Sequence, residues 1–274
     1  MNAPQDDHVA PKGRAPVDLY AGLSPATVRL KSQLVAMRPE LAAGGFPRDD
    51  GTVQFYTRVN ALLSIDMTLL DYGAGRGRQF DMPDAGYREA IQKFQGKVAK
   101  VIGVDVYDGI YHHPFLDERH VIDPGDALPF SPGTIDIVVA DWVFEHLENP
   151  DQFAGEMERI VRPGGWVCAR TVNRWGYIGI GARIIPNSVH AWAVRKLIPI
   201  ARSEDVFPVR YRANSLRDIR RCFIRQNWED FSYLVNTTPR YFANSRALFR
   251  AMELYQKFAP YRLGVDLFVF LRRR

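Results

Sequence analysis

A chain of 274 residues with 46% hydrophobic and 24% charged side chains can fill one large domain and is too apolar to stay disordered. No apolar run reaches the roughly 18 to 20 residues of a membrane span, and Met1–Pro16 lacks the apolar segment of a secretory signal. Cys168 and Cys222 sit far apart in apolar stretches and read as buried thiols of a cytoplasmic protein. No His or Cys has metal-ligand spacing, the pair His112-His113 included. The net charge of +5 is uneven: Arg195, Lys196, Arg202, Arg210 and Arg212 belong to a basic stretch that runs to Arg225, and the chain ends Arg272-Arg273-Arg274. A solvated face accounts for this, and so does an anionic partner such as a phosphorylated substrate or a membrane surface.

Taken in order, residues 1–24 read as a flexible leader and 25–66 as an N-terminal helical cap. Ser24 before Pro25 is a helix start, and a second helix is expected over Val53–Leu63. From Met67 the pattern alternates strand and helix. Met67–Leu70 is a short apolar run that ends in Asp71-Tyr72-Gly73-Ala74-Gly75-Arg76-Gly77-Arg78, a buried strand stopping at a tight turn. Glycines there permit positive φ and close approach of a ligand to main-chain N–H groups. The dinucleotide fingerprint fails, because Arg78 stands where its third glycine belongs, and no Gly-Lys-Ser/Thr follows to make a P-loop.

Further strands are expected at Val98–Val106, Arg119–Ile122, Thr134–Ala140 and Trp166–Val172, with a turn at 162–165. Phe144–Leu147 starts a helix that resumes at Pro150 and runs to Val161. Residues 173–213 break the rhythm and read as a helical insertion or lid. A helix from Asn214-Ser215 to about Gln226, a sixth strand over Trp228–Val235, a helix over Ser245–Phe258 and a last strand over Gly264–Leu271 complete the chain. Such alternation gives a mostly parallel sheet with helices on both faces, and ligands bind outside the carboxyl ends of its strands.

The acid-x-Gly-x-Gly-x-Gly turn resembles the first motif of class I S-adenosylmethionine (SAM)-dependent methyltransferases, and the rest of residues 67–172 resembles that family in order. The resemblance implies a Rossmann-like, doubly wound α/β sheet of seven mostly parallel strands, the last antiparallel, spanning 67–274. It implies SAM as cofactor, with Asp71, Gly73, Ala74, Gly75 and Gly77 at its amino-acid end. Asp105 would accept from the two ribose hydroxyls, with Val106 beside the adenine, and Asp126-Ala127-Leu128 would meet the adenine edge. Asp141-Trp142 would face the point of methyl transfer. Arg159-Ile160-Val161-Arg162-Pro163-Gly164-Gly165-Trp166 is similar to the family's helix–Pro-Gly-Gly–strand signature.

Asp141-Trp142-Val143-Phe144 lacks the two prolines of enzymes that methylate DNA amino groups, and no aromatic-basic surface suggests a nucleic-acid partner. The Glu145-His146 pair is similar to small-molecule O- and C-methyltransferases. His146 is a candidate base, Glu145 its companion, and Tyr177 a third catalytic candidate; no metal is required. His112, His113, His190 and Tyr211 are further candidates if the lid closes. Residues 171–214 also resemble bacterial methyltransferases of polysaccharide and glycolipid assembly. That implies O-methylation of a sugar or carrier-linked glycan, its phosphate paired with Arg195, Lys196, Arg202, Arg210 and Arg212, and contact of the 178–202 stretch with a membrane. The alternatives are a small lipid or quinone-like acceptor, and a catalytically silent SAM-fold scaffold.

Overall fold

The computed structural model describes residues 22–80, 86–184, 208–223, 227–240, 242 and 245–274. The leader, nearly all of it, and the centre of the insertion, including His190, Arg195, Lys196 and Arg202, lie outside the described residues.

Two helices precede the sheet. The first, α1 (Pro25–Met37), starts as expected at Ser24, whose hydroxyl accepts from Thr27 N–H at 3.3 Å, with proline in the first turn. The second, α2 (Gly51–Asn60), is capped by Asp50 accepting from Val53 N–H at 2.9 Å. It lies on the sheet through Phe55, Tyr56 and Val59, all buried, and so is part of the main core.

The strands are β1 (Thr68–Tyr72), β2 (Lys100–Asp105), β3 (Glu118–Val121), β4 (Ile135–Asp141), β5 (Val161–Val172), β6 (Trp228–Asp230), β7 (Tyr233–Val235) and β8 (Asp266–Arg273). Their order is β3-β2-β1-β4-β5-β8-β6, with β7 also paired to β8. The first five run parallel and β8 runs antiparallel to β5. Helices α3 (Gly86–Gln92), α4 (Pro150–Ile160), α5 (Tyr177–Ile184), α6 (Leu216–Phe223) and α7 (Arg246–Phe258) complete the set. The α/β class and the doubly wound parallel sheet are those expected.

Alternation along the strands splits the core into two layers, because successive side chains point to opposite faces. Leu69, Ile137, Val139, Phe268 and Phe270 pack with Phe55 and Val59 of α2. Leu70, Val138, Ala140, Leu267 and Val269 pack on the other face with Phe153 and Met157 of α4 and Phe223 of α6.

Three expectations need correction. The sixth strand is two short ones, so among the described residues the sheet has eight strands and not seven. At Phe231-Ser232 the chain steps away: Phe231 N–H still donates to the Phe270 carbonyl, but the Ser232 side chain takes the Phe270 N–H in place of a main-chain partner. Residues 144–147 form a turn, because Asn149 caps α4 by accepting from Gln152 N–H at 3.2 Å and fixes its start at Pro150. The turn at 162–165 is drawn into the long strand β5, where a register shift between Ile135 and Ile137 absorbs the extra residues. Among the described residues no helix is long and apolar enough to cross a membrane.

Candidate cofactor and acceptor site

The carboxyl ends of β1, β2, β4 and β5 converge on the glycine turn. Gly73, Gly75 and Gly77 have φ of +75°, +58° and +74°. A Cβ on Gly73 would fall 2.5 Å from Val143 Cγ2, and one on Gly77 2.6 Å from Pro114 Cδ. Nothing lies within 4 Å of a Cβ on Gly75, so that position opens on free space. The turn is fastened to β2: Gly73 and Ala74 N–H donate to the Val104 carbonyl, and Gly75 N–H donates to Asp105 at 2.8 Å. The other Asp105 oxygen accepts from Tyr107 N–H at 2.8 Å. Each oxygen of a carboxylate keeps a second lone pair, so Asp105 can still accept from hydroxyls. Val106 beside it is exposed.

Asp71 is half-buried just before the turn. Burial, and then the charges of Asp141 and Asp105, push its carboxyl up to about 7. Asp141 is held from below by Arg170, whose Nε and Nη2 donate to its two oxygens at 2.7 and 2.6 Å, and by Tyr56 O–H at 3.1 Å. Arg170 also donates to Thr52 Oγ1 at 3.0 Å. Trp142 takes φ of +59°, a conformation a bulky residue adopts only when its surroundings enforce it. Here its N–H donates to the Arg170 carbonyl, and its ring has the guanidinium groups of Arg170 and Arg240 each 4.8 Å from its centroid.

The three catalytic candidates are held by different partners. Glu145 is buried and accepts from Thr171 O–H at 2.6 Å; Asn214 donates to the same hydroxyl at 2.7 Å. Burial pushes Glu145 up to about 7 against that hydrogen bond, while its carbonyl holds Arg210 and Tyr211 N–H. Glu145 therefore anchors the 208–214 segment. His146 is half-buried with Nδ1 3.0 Å from the Pro208 carbonyl. A carbonyl only accepts, so Nδ1 carries the proton and Nε2 is the basic nitrogen. Burial holds the ring below its ordinary value, keeping it neutral at pH 7. Tyr177 opens α5; its hydroxyl accepts from Arg240 N–H at 3.2 Å and its ring meets Tyr255 edge-on.

Of the residues expected at the adenine edge, Asp126 and Ala127 are exposed. Leu128 is buried, its N–H donating to Glu156 at 2.7 Å and its carbonyl accepting from Arg159 at 2.9 Å. His113 is buried too, and burial with the nearby Arg119 brings it down to about 4.

Beyond β4 and β5 lies a cleft of about 710 Å³. Among the described residues its walls carry Arg174, Arg210, Arg212 and Arg221 against Glu148, Asp151 and Asp218. Arg210 donates to Glu148 at 2.5 Å, Arg212 to the Glu148 carbonyl at 2.5 Å, and Arg174 to Asp218 at 3.3 Å. Arg210 and Arg212 of the expected phosphate set are thus brought together here, joined by Arg174 and Arg221.

The donor and acceptor set suits SAM. The open space at Gly75 would admit its amino-acid end, the half-buried acids Asp71 and Asp141 would answer its positive charges, and Asp105 retains capacity for hydroxyls. Arg170, Tyr56, Thr171 and Arg174 were missed from sequence. Arg170 had a signal, since a charge inside the apolar strand Trp166–Val172 demands a buried partner. Tyr56, on a helix more than eighty residues from Asp141, had none.

Comparison with known proteins bears on the fold and the domain. Residues 70–169 match a family model described as a methyltransferase domain. Ubiquinone biosynthesis O-methyltransferases of Burkholderia orbicola (strain MC0-3) and Burkholderia ambifaria (strain MC40-6) are 30% and 31% identical over 116 residues, which is 38% of this chain. The chain spans about half (50%) of the length of these curated relatives. Among solved structures, the fold is similar to a chain of the Haloferax volcanii complex between the Trm112 methyltransferase activator and a methyltransferase (TM-score 0.52, 14% identity, covering 94% of this chain and 97% of that one). It is also similar to geranyl diphosphate C-methyltransferase from Streptomyces coelicolor A3(2) (TM-score 0.51, 15% identity, covering 95% and 91%). Over residues 70–169 this chain is thus similar to methyltransferase domains, and its fold is that of solved methyltransferase structures.

Proposed function

We propose that the protein transfers a methyl group from SAM to an oxygen of an acceptor bearing an anionic group, such as a phosphate-bearing sugar or carrier-linked glycan. SAM supplies the methyl on a positively charged sulfur, which the acceptor oxygen displaces. The chain's own task is to align the two partners and to take up the proton. Asp105, Asp126 and the glycine turn hold the cofactor in this reading, and Asp71 and Asp141 lie under its positive end. His146 Nε2 receives the acceptor's hydroxyl proton, while Glu145, through Thr171 and the 208–214 backbone, positions the histidine's neighbour Pro208.

The observation that carries the acceptor reading is the arginine-lined cleft at the ends of β4 and β5. Its charged walls suit a polar anion better than an apolar tail, and guanidinium forks match phosphate oxygens. A phenolic, quinone-like acceptor is the second reading. It is favoured by the similarity to the ubiquinone biosynthesis O-methyltransferases.

Two measurements test this. Transfer of labelled methyl from SAM to phosphorylated sugars and undecaprenyl-linked glycans, set against polyprenyl phenols, separates the acceptor classes; turnover confined to the phenols overturns the anionic reading. The cofactor placement is tested by Gly75→Ala. Nothing lies within 4 Å of the added methyl, so the fold should lose only about 1–2 kcal/mol from left-handed strain. SAM binding should nevertheless fall at least about tenfold, because the methyl takes the ligand's approach to the main chain. Unchanged SAM affinity in a folded variant would remove the cofactor from this turn.

His146→Ala should lower kcat by about 10²-fold or more with SAM affinity little changed. With the ring held below its ordinary value, the acidic limb of the parent's pH profile should lie below that of a free histidine. Equal turnover in parent and variant would assign the proton to another group.

A further inference from the structure

We infer that the outward face of α7 docks the protein onto an anionic lipid surface. The helix carries apolar groups on both sides. Inward, Phe249 is buried and Met252 and Tyr255 are half-buried, beside Glu253, which pairs with Arg38 at 2.8 Å, and Gln256, which donates to the Thr237 carbonyl at 3.0 Å. Ala247, Ala251, Leu254 and Phe258, spaced at i, i+4, i+7 and i+11, fall on the opposite side, all exposed. Leu254 is 59% exposed, Phe258 72%, and Tyr261 just beyond the helix 62%. A stripe of this kind in water loses the hydrophobic gain that would normally orient a helix, so it calls for a covering partner.

Charge selects the partner. Arg246, Arg250 and Lys257 flank the stripe along one side and Arg262 follows it, all exposed. Between 246 and 262 the sequence holds one acid, Glu253, and Arg38 takes it. A second copy of the chain would bring two such basic rows to one apolar seam with no acid to meet them. Leu and Phe inserted at the acyl boundary, with Tyr, Arg and Lys at headgroup level, match a bilayer carrying negative charge. The Lys257 ammonium lies 5.6 Å from the Phe258 ring centroid, a cation–π contact that holds a positive charge at the edge of the apolar stripe.

The surface also adjoins the site. Tyr255 of α7 meets Tyr177, whose hydroxyl accepts from Arg240 N–H, and the Arg240 guanidinium stands over Trp142. Docking through α7 would hold that flank of the site against the bilayer. The inference does not depend on which acceptor is methylated.

The test is flotation of the full chain with vesicles of equal parts phosphatidylglycerol and phosphatidylcholine, and with phosphatidylcholine alone, at low and high salt. The parent should bind the anionic vesicles at least about tenfold more tightly, and salt should weaken that binding. Leu254→Ser with Phe258→Ser should reduce it at least about tenfold at an unchanged unfolding temperature, since both side chains are exposed. Arg250→Gln with Lys257→Gln should reduce it and flatten its salt dependence. Failure of the parent to bind, or binding that the serine variants leave intact, overturns the inference. So does a parent dimer that the serine variants dissociate, which would make the face a contact between copies.

Discussion

Exchanging Arg170 for methionine should destabilise the protein by about 3–5 kcal/mol, the largest effect expected of any single change near the site. The guanidinium is 5% exposed, makes a two-pronged pair with Asp141, reaches Thr52, and lies over the rings of Phe55, Tyr56 and Trp142. Methionine fills much of the volume and leaves Asp141 without its counter-charge beside the second carboxyl group of Asp71. An unpaired carboxylate in that position costs far more than the net worth of the pair, because the desolvation is already spent. Tyr56 cannot compensate by ionising differently: burial, then the charges of Asp141 and Asp71, hold its phenol protonated well above the ordinary tyrosine range. Urea unfolding measures the loss. The double variant Arg170→Met with Asp141→Leu should recover most of it, since no lone charge then remains. A single variant within about 1 kcal/mol of the parent would show that water reaches Asp141, and the pair would be a surface contact in effect.

The same pair marks the limit of what could be read from sequence. The central strands β1, β2 and β4 were legible because each is a short apolar run closed by an acid, and periodicity needs no knowledge of what lies opposite. Gly73, Gly75 and Gly77 could be placed for the same reason: an alternation of glycines after a strand predicts positive φ at each, and each has it. What failed were boundaries decided by single hydrogen bonds. The Asn149 cap moved the start of α4 past residues 144–147, and the Ser232 side chain divided the sixth strand. In the site, each strand-end acid could be located, but not its partner. Asp141 was placed at the point of transfer from its position alone, whereas its two oxygens are taken by Arg170 from the neighbouring strand and by Tyr56 from α2. Long-range pairing of this sort leaves no period in the sequence. The exposed apolar stripe of α7 was not legible for a related reason: a helix was expected over Ser245–Phe258, but which side faces the core depends on Arg38 and Thr237.

Asp71→Asn should make the protein more stable above pH 7 and a poorer binder of SAM. Burial and the charges of Asp141 and Asp105 raise the Asp71 carboxyl from 3.8 to about 7. Between those values the folded state holds a proton that the unfolded state has released. The contribution to stability is therefore complete below about pH 4 and is lost as pH rises through about 7. At pH 8 the ionised group costs up to about 4 kcal/mol, three units at 1.36 kcal/mol each, and asparagine removes that cost. The decline in stability from pH 4 to pH 8 should become shallower without vanishing, because Glu145, also raised to about 7, contributes with the same sign. Binding follows the opposite logic. A cation placed against Asp71 favours its charged form, so near pH 6 the parent should release close to one proton for each SAM bound, and almost none at pH 9. Calorimetric titrations in buffers of different ionisation heat measure that number directly. In Asp71→Asn the release should disappear and SAM affinity should fall about tenfold or more, the worth of a hydrogen bond to a charged group. If the variant binds SAM as the parent does and releases the same number of protons, the positive end of the cofactor lies elsewhere, and Asp71 serves only to close the turn.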